Sequence, residues 1–184
     1  MVAPNIYEAL AAVLSYPGDD YRTRVVEAVL AAPDDIAPGL QGFGAALEGK
    51  STLELQELYT VTFDLNPVCS LELGWHLFGE NYDRGLLLVR MRALLRQHGI
   101  AESGELPDHL SHALQLLARM DEAARRDFAV AIVLPALGKM LDAFRDKQNP
   151  YEQVLVALKN QLRSLCPGIP IFIPQQEPVL RVLD

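Results

Sequence analysis

A chain of 184 residues, half of them hydrophobic, can bury a substantial core and is not composed like a disordered segment. Its formal charge of −8 excludes the basic patch that nucleic-acid binding requires and favours basic or neutral partners. The N-terminus lacks a basic start followed by an apolar run, and the longest apolar stretch, 128–138, is too short to span a membrane. A cytoplasmic protein with no membrane insertion is expected, and a monomer is the default. Cys69 and Cys166 form no paired motif and read as packed thiols, with a disulfide between them left open.

Apolar residues recur at helical spacing along most of the chain. Ile6, Leu10, Val13 and Leu14 form a first stripe, ended by Tyr16, Pro17 and Gly18. Asp19 and Asp20 open a second helix that carries Val25, Val26, Val29 and Leu30 and stops before Pro33. The stretch 34–49 holds four glycines, which weaken a continuous helix. Ser51 and Glu54 make a capping box for a helix presenting Leu55, Leu58, Tyr59, Thr62 and Phe63, broken at Asn66 and Pro67. A short helix over 70–78 turns a corner at Gly79 into a long one bearing Leu87, Met91, Leu94, Leu95 and His98, closed by Gly99. Pro107 suits the first turn of a helix with Leu110, Ala113, Leu114 and Leu117. A further helix through Val130, Leu134, Leu137, Leu141 and Phe144 should kink at Pro135. Asn149 caps and Pro150 starts a last helix, and the proline-rich tail 166–184 should fold back through Ile169, Ile171, Phe172 and Ile173. The pattern predicts an all-α, single-domain bundle of about eight helices.

Catalytic signatures are sparse. There is no nucleophile elbow or Walker loop, and Gly39, Gly42 and Gly44 follow no strand and lack the order of a nucleotide loop. His109 and His112, three residues apart on one helical face with Asp108 and Glu105 nearby, offer two imidazoles and a carboxylate to a metal, yet lack a further ligand at an obvious spacing. The reading adopted assigns no catalytic residue, no metal and no cofactor. A metal-binding helical enzyme and a structural subunit of a redox complex are the alternatives. Arg90, Arg92 and Arg96 read as a solvated face.

The segment 59–82 is distinctive, concentrating Phe63, Leu71, Leu73, Trp75, His76, Leu77 and Phe78 with the acids Asp64, Glu72 and Glu80. Core packing and a peptide groove with an apolar floor and acidic rim explain these residue types equally well. Four blocks, residues 59–64, 70–73, Gly79 and Glu80 followed by Arg84 and Gly85, and 105–108, together resemble the NarJ/DmsD/TorD family of redox-enzyme maturation chaperones. Asn149, Pro150 and Tyr151 add to that resemblance, which is nearest the nitrate-reductase type. His109 and Ser111 depart from it, and Glu105 to His109 resembles the E-x-x-D-H motif of the dimethyl-sulfoxide and trimethylamine-N-oxide reductase chaperones, so the client stays open.

The resemblance implies an all-helical chaperone whose partner is the catalytic subunit of a molybdenum-cofactor oxidoreductase, bound through its N-terminal or signal segment until the cofactor is inserted. The expected client-binding residues are Asp64, Leu73, Trp75, His76, Phe78, Glu80, Arg84, Glu105, Pro107, Asp108 and His109. Arg84 is expected to pair with Asp64 or Asp108, Gly85 to allow a close helix approach or the turn into the long helix, and His109 to make binding pH-sensitive.

Overall fold

Helical periodicity is realised almost throughout the computed structural model, which describes residues 5–144 and 148–168. Ten α-helices follow in order among these residues: α1 Ile6–Val13, α2 Tyr21–Ala31, α3 Ala37–Ala46, α4 Thr52–Tyr59, α5 Leu73–Phe78, α6 Tyr82–Gln97, α7 Leu110–Arg119, α8 Glu122–Phe128, α9 Leu134–Phe144 and α10 Tyr151–Ser164. The chain is all-α. Because α8 runs into α9, there are nine rods, one more than the periodicity predicts.

The extra rod is the glycine-rich α3, which lies between α2 and α10. A Cβ on Gly39 would stand 3.4 Å from the Gln153 carbonyl, and one on Gly42 would collide with the Gln153 side chain. These glycines are the contact surface for α10, so tertiary packing outweighs their poor helix propensity.

The expected caps form. Asn5 Oδ1 accepts from the Tyr7 N–H at 2.9 Å, and Ser51 and Glu54 complete the capping box. Asn149 Oδ1 takes the Tyr151 N–H at 3.0 Å while its amide donates to Thr62 Oγ1 at 2.7 Å, tying the start of α10 to the turn that follows α4.

Two wide turns interrupt the rods. Over Thr60–Asp64 the Leu65 N–H reaches back five residues to the Thr60 carbonyl at 2.9 Å. Over Ala129–Val133 a second such turn leads into α9, where Pro135 sits in the first turn and needs no N–H. The expected kink at Pro135 is therefore a widened turn just ahead of it, which absorbs the missing donor.

One continuous buried cluster joins the helices. At its centre the Tyr151 ring meets Phe43, Tyr59 and Phe63 at centroid distances of 5.0, 6.1 and 4.8 Å. The Tyr151 and Tyr21 hydroxyls lie 2.8 Å apart, and Tyr21 donates to the Val13 carbonyl at 2.7 Å. Burial pushes both phenols well above their ordinary pKa, so they remain neutral hydrogen-bonding groups. Cys69 and Cys166 are buried thiols that are not joined in a disulfide, and the Asn66 amide donates to Cys69 Sγ at 3.2 Å. The expected fold-back of Ile169, Ile171, Phe172 and Ile173 lies outside the described residues.

Candidate functional site

Just ahead of α5 and α7, Glu72 and His109 meet in a single antiparallel bridge. The Leu110 N–H donates to the Leu71 carbonyl at 2.8 Å and the Leu73 N–H to the Asp108 carbonyl at 3.0 Å, flanking a bridge between Glu72 and His109. This pairing corrects two sequence expectations. The short helix begins at Leu73, not at residue 70, and Pro107 precedes α7 instead of occupying its first turn. Pro107 and Asp108 form a turn, and the bridge to Glu72 holds His109 extended behind it, so His109 becomes the cap.

The pair forms one side of a cleft of about 430 Å³. Phe63 and Asp64 from the wide turn and Pro67 from the 3-10 turn Pro67–Cys69 line it, together with Ser70, Leu71 and Glu72. Trp75 of α5, Arg84 of α6, Glu105 and His109 complete the lining. Leu65 and Val68, beside Asp64 and Pro67 in the chain, are 72% and 55% exposed. The site thus combines three carboxylates, one guanidinium and accessible apolar surface. All four sequence blocks converge here, and the Asn149 to Thr62 hydrogen bond ties the fifth, at the start of α10, to the same turn.

Of the expected binding residues, Asp64, Trp75, Arg84, Glu105 and His109 line this cleft. Leu73 and Asp108 do not, being fully buried behind it. Pro107 is buried too, as is His76, whose imidazole donates to the Ser70 carbonyl at 2.6 Å. Burial lowers the His76 pKa and favours that neutral ring. Phe78 is half-buried against the core, and exposed Glu80 stands in the corner before α6, outside the lining. Sequence reasoning assigned the floor to Leu73, but Leu71, two residues earlier, lines the cleft, and Leu73 opens α5 and is buried in the core.

Arg84 pairs with neither expected acid. Its guanidinium donates to Glu72 Oε2 at 2.6 Å and lies 5.6 Å over the Trp75 ring. Gly85 is exposed with open space where a Cβ would stand, so it mediates no close approach. That role belongs to Gly74, where a Cβ would stand 2.7 Å from Asp108 Oδ2 and 3.0 Å from the Leu87 side chain. The Gly74 N–H donates to Asp108 Oδ2 at 2.8 Å, while Asp108 Oδ1 is buried without a hydrogen-bond partner among the described residues. Burial raises the Asp108 pKa, against the opposing pull of the Gly74 N–H and Arg84.

His109 and His112 do not share a helical face as expected, because His109 stands before α7. Its Nδ1 accepts from the Ser111 N–H at 3.2 Å and lies 2.7 Å from the Ser111 hydroxyl. The His112 ring donates to the Leu106 carbonyl at 2.9 Å and meets the Ser103 hydroxyl at 3.1 Å. Among the described residues no group of three His, Cys, Asp or Glu side chains converges to hold a metal ion.

Burial, then the neighbouring His112, pushes the His109 pKa down to about 4. His109 is therefore neutral from pH 5.5 to 8, and the expected pH-sensitivity of binding through it is withdrawn. It acts on stability instead. Between about pH 6.5 and 4 the unfolded chain binds a proton that folded His109 does not, so stability falls as pH falls. His76 acts in the same direction, and Asp108, with its raised pKa, opposes it. His109→Asn keeps a helix cap without a titrating ring, and urea unfolding from pH 6.5 to 4 should show a slope reduced by roughly 2–3 kcal/mol across the window. An unchanged slope would mean that His109 takes up its proton in the fold as it does in the unfolded chain.

The description "nitrate reductase delta subunit" belongs to the family that matches residues 31–162, most of the chain and every block around the cleft. This chain is a member of the nitrate reductase delta subunit family. The nitrate reductase molybdenum cofactor assembly chaperone NarJ of Escherichia coli K12 is 31% identical over 157 residues, covering 80% of this chain. The chain spans 66% of the length of that relative. The probable nitrate reductase molybdenum cofactor assembly chaperone NarJ of Bacillus subtilis 168 is 28% identical over 128 residues, 66% of this chain and 70% of its own. Within the delta subunit family the resemblance to the nitrate-reductase type stands.

Proposed function

We propose that this chain is an assembly chaperone for the catalytic subunit of a nitrate reductase or a related molybdenum-cofactor oxidoreductase, and that it works by binding rather than by catalysis. The cleft takes the N-terminal segment of that subunit and holds the apoenzyme until the cofactor is inserted. One observation carries this reading: sequence blocks scattered over some ninety positions meet around a single cleft with an acidic rim. The names of the relatives support the chaperone role.

The chemistry of binding follows from the lining. A client segment lays apolar side chains against Phe63, Leu71 and Trp75, with Leu65 and Val68 beyond the rim, gaining about 25 cal/mol per Å² buried before ordering costs. Basic side chains meet Asp64, Glu72 and Glu105, which speed encounter and fix orientation more than they add affinity. The test is co-purification of the tagged chain with its catalytic subunit from cells making the apoenzyme. Recovery should be lost when the subunit's N-terminal segment is deleted. Undiminished recovery of the truncated subunit would overturn the assignment of that segment.

The family's description as a delta subunit favours a second reading, a permanent structural subunit. That reading predicts stoichiometric retention in the mature, cofactor-loaded enzyme, whereas a chaperone departs.

A further inference from the structure

Arg84 stands where a helix least favours a cation. It is the third residue of α6, at the positive end of the helix dipole. Its guanidinium holds Glu72 and covers Trp75, yet its Nε–H is buried without a hydrogen-bond partner among the described residues. Asp108 Oδ1 is orphaned in the same way. The two side chains are close neighbours across Gly74, since a Cβ there would meet Asp108 Oδ2 at 2.7 Å and Arg84 Cγ at 3.2 Å. Two carboxylates, Glu72 at the cleft and Asp108 behind it, flank one incompletely matched guanidinium.

We propose that Arg84 is an internal stand-in for a basic side chain of the client, occupying Glu72 and the Trp75 face in the empty cleft and turning to Asp108 when an arginine of the client takes its place. The inference rests on the client reading above and adds how the segment is selected. A carboxylate beside an indole face is a cradle for a guanidinium, and here the chain fills it with its own. A client cation that displaces Arg84 leaves no stranded buried charge, because the free Asp108 oxygen receives it. A segment without a cation must leave Arg84 in place and loses the cradle, which makes Arg84 a specificity device as well as a plug.

The test uses calorimetric titration with a synthetic peptide of the first twenty residues of the catalytic subunit, and with a version carrying glutamine at each arginine and lysine. Arg84→Met should tighten binding of the basic peptide about tenfold and leave the glutamine version unchanged. Asp108→Asn should weaken the basic peptide about fivefold when Arg84 is present and have no effect in the Arg84→Met background, a coupling that general damage to the fold would not give. Arg84→Met weakening both peptides alike would make Arg84 a brace and overturn the proposal, as would an unchanged affinity for the basic peptide. Failure of the wild-type chain to bind either peptide would instead overturn the client reading, and this inference with it.

Discussion

Tyr151→Ala is expected to lower the free energy of unfolding by about 4 kcal/mol, a large share of the stability of an ordinary domain. The ring is 1% exposed and is the hub on which Phe43, Tyr59 and Phe63 converge. Its removal leaves a cavity that three rings from three helical segments cannot collapse to fill. Tyr151→Phe should cost only about 1 kcal/mol, because the Tyr21 hydroxyl keeps the Val13 carbonyl as its acceptor. Urea unfolding of the two variants separates the ring from the hydroxyl. The loss should also reach the cleft, since Phe63 rests on Tyr151 and lines it. A Tyr151→Ala chain with near wild-type stability would show that the aromatic cluster is not the keystone of this half of the core.

Charge reversal at the rim should have the largest effect on binding. Asp64 and Glu105 are exposed and face the cleft from opposite chain segments. The double variant Asp64→Lys, Glu105→Lys should weaken a basic client peptide on the order of a hundredfold at low ionic strength. Most of that deficit should vanish near 0.5 M salt, where the screening length falls to roughly 4 Å. The fold should be little disturbed, because neither carboxylate holds a structural hydrogen bond within the described residues. Equal affinity for wild type and variant at low salt would remove the rim from recognition.

Much of the fold was legible because buried faces keep their period. Leu87, Met91 and Leu95 are each fully buried as their spacing predicts, and the Ser51 to Glu54 cap forms. The glycine-rich α3 was not, because its glycines pack against a helix more than a hundred residues away. The wide turns were hidden for another reason: one additional residue in a turn shifts phase without breaking the apolar pattern. For the site, the polar rim was read from residue type and the resemblance, and Asp64, Trp75, Arg84, Glu105 and His109 do line one cleft. The depth of each residue was not legible. Leu73 and Asp108 lie behind the cleft through the bridge between Glu72 and His109 and its two flanking hydrogen bonds, a long-range contact that no local pattern announces. Gly74, the close-approach glycine, gave no local signal either, whereas Gly85 drew attention only through its block.

Trp75 is the single tryptophan of the chain and lines the cleft, so its emission reports occupancy there and nowhere else. The decisive measurement is a fluorescence titration of the wild-type chain with the N-terminal peptide of the catalytic subunit, run beside calorimetry on the same samples. The account predicts a saturable change in Trp75 emission with the same midpoint and one-to-one stoichiometry as the heat. Calorimetric binding with unaltered Trp75 emission would place the client elsewhere on the molecule and contradict the cleft as its site.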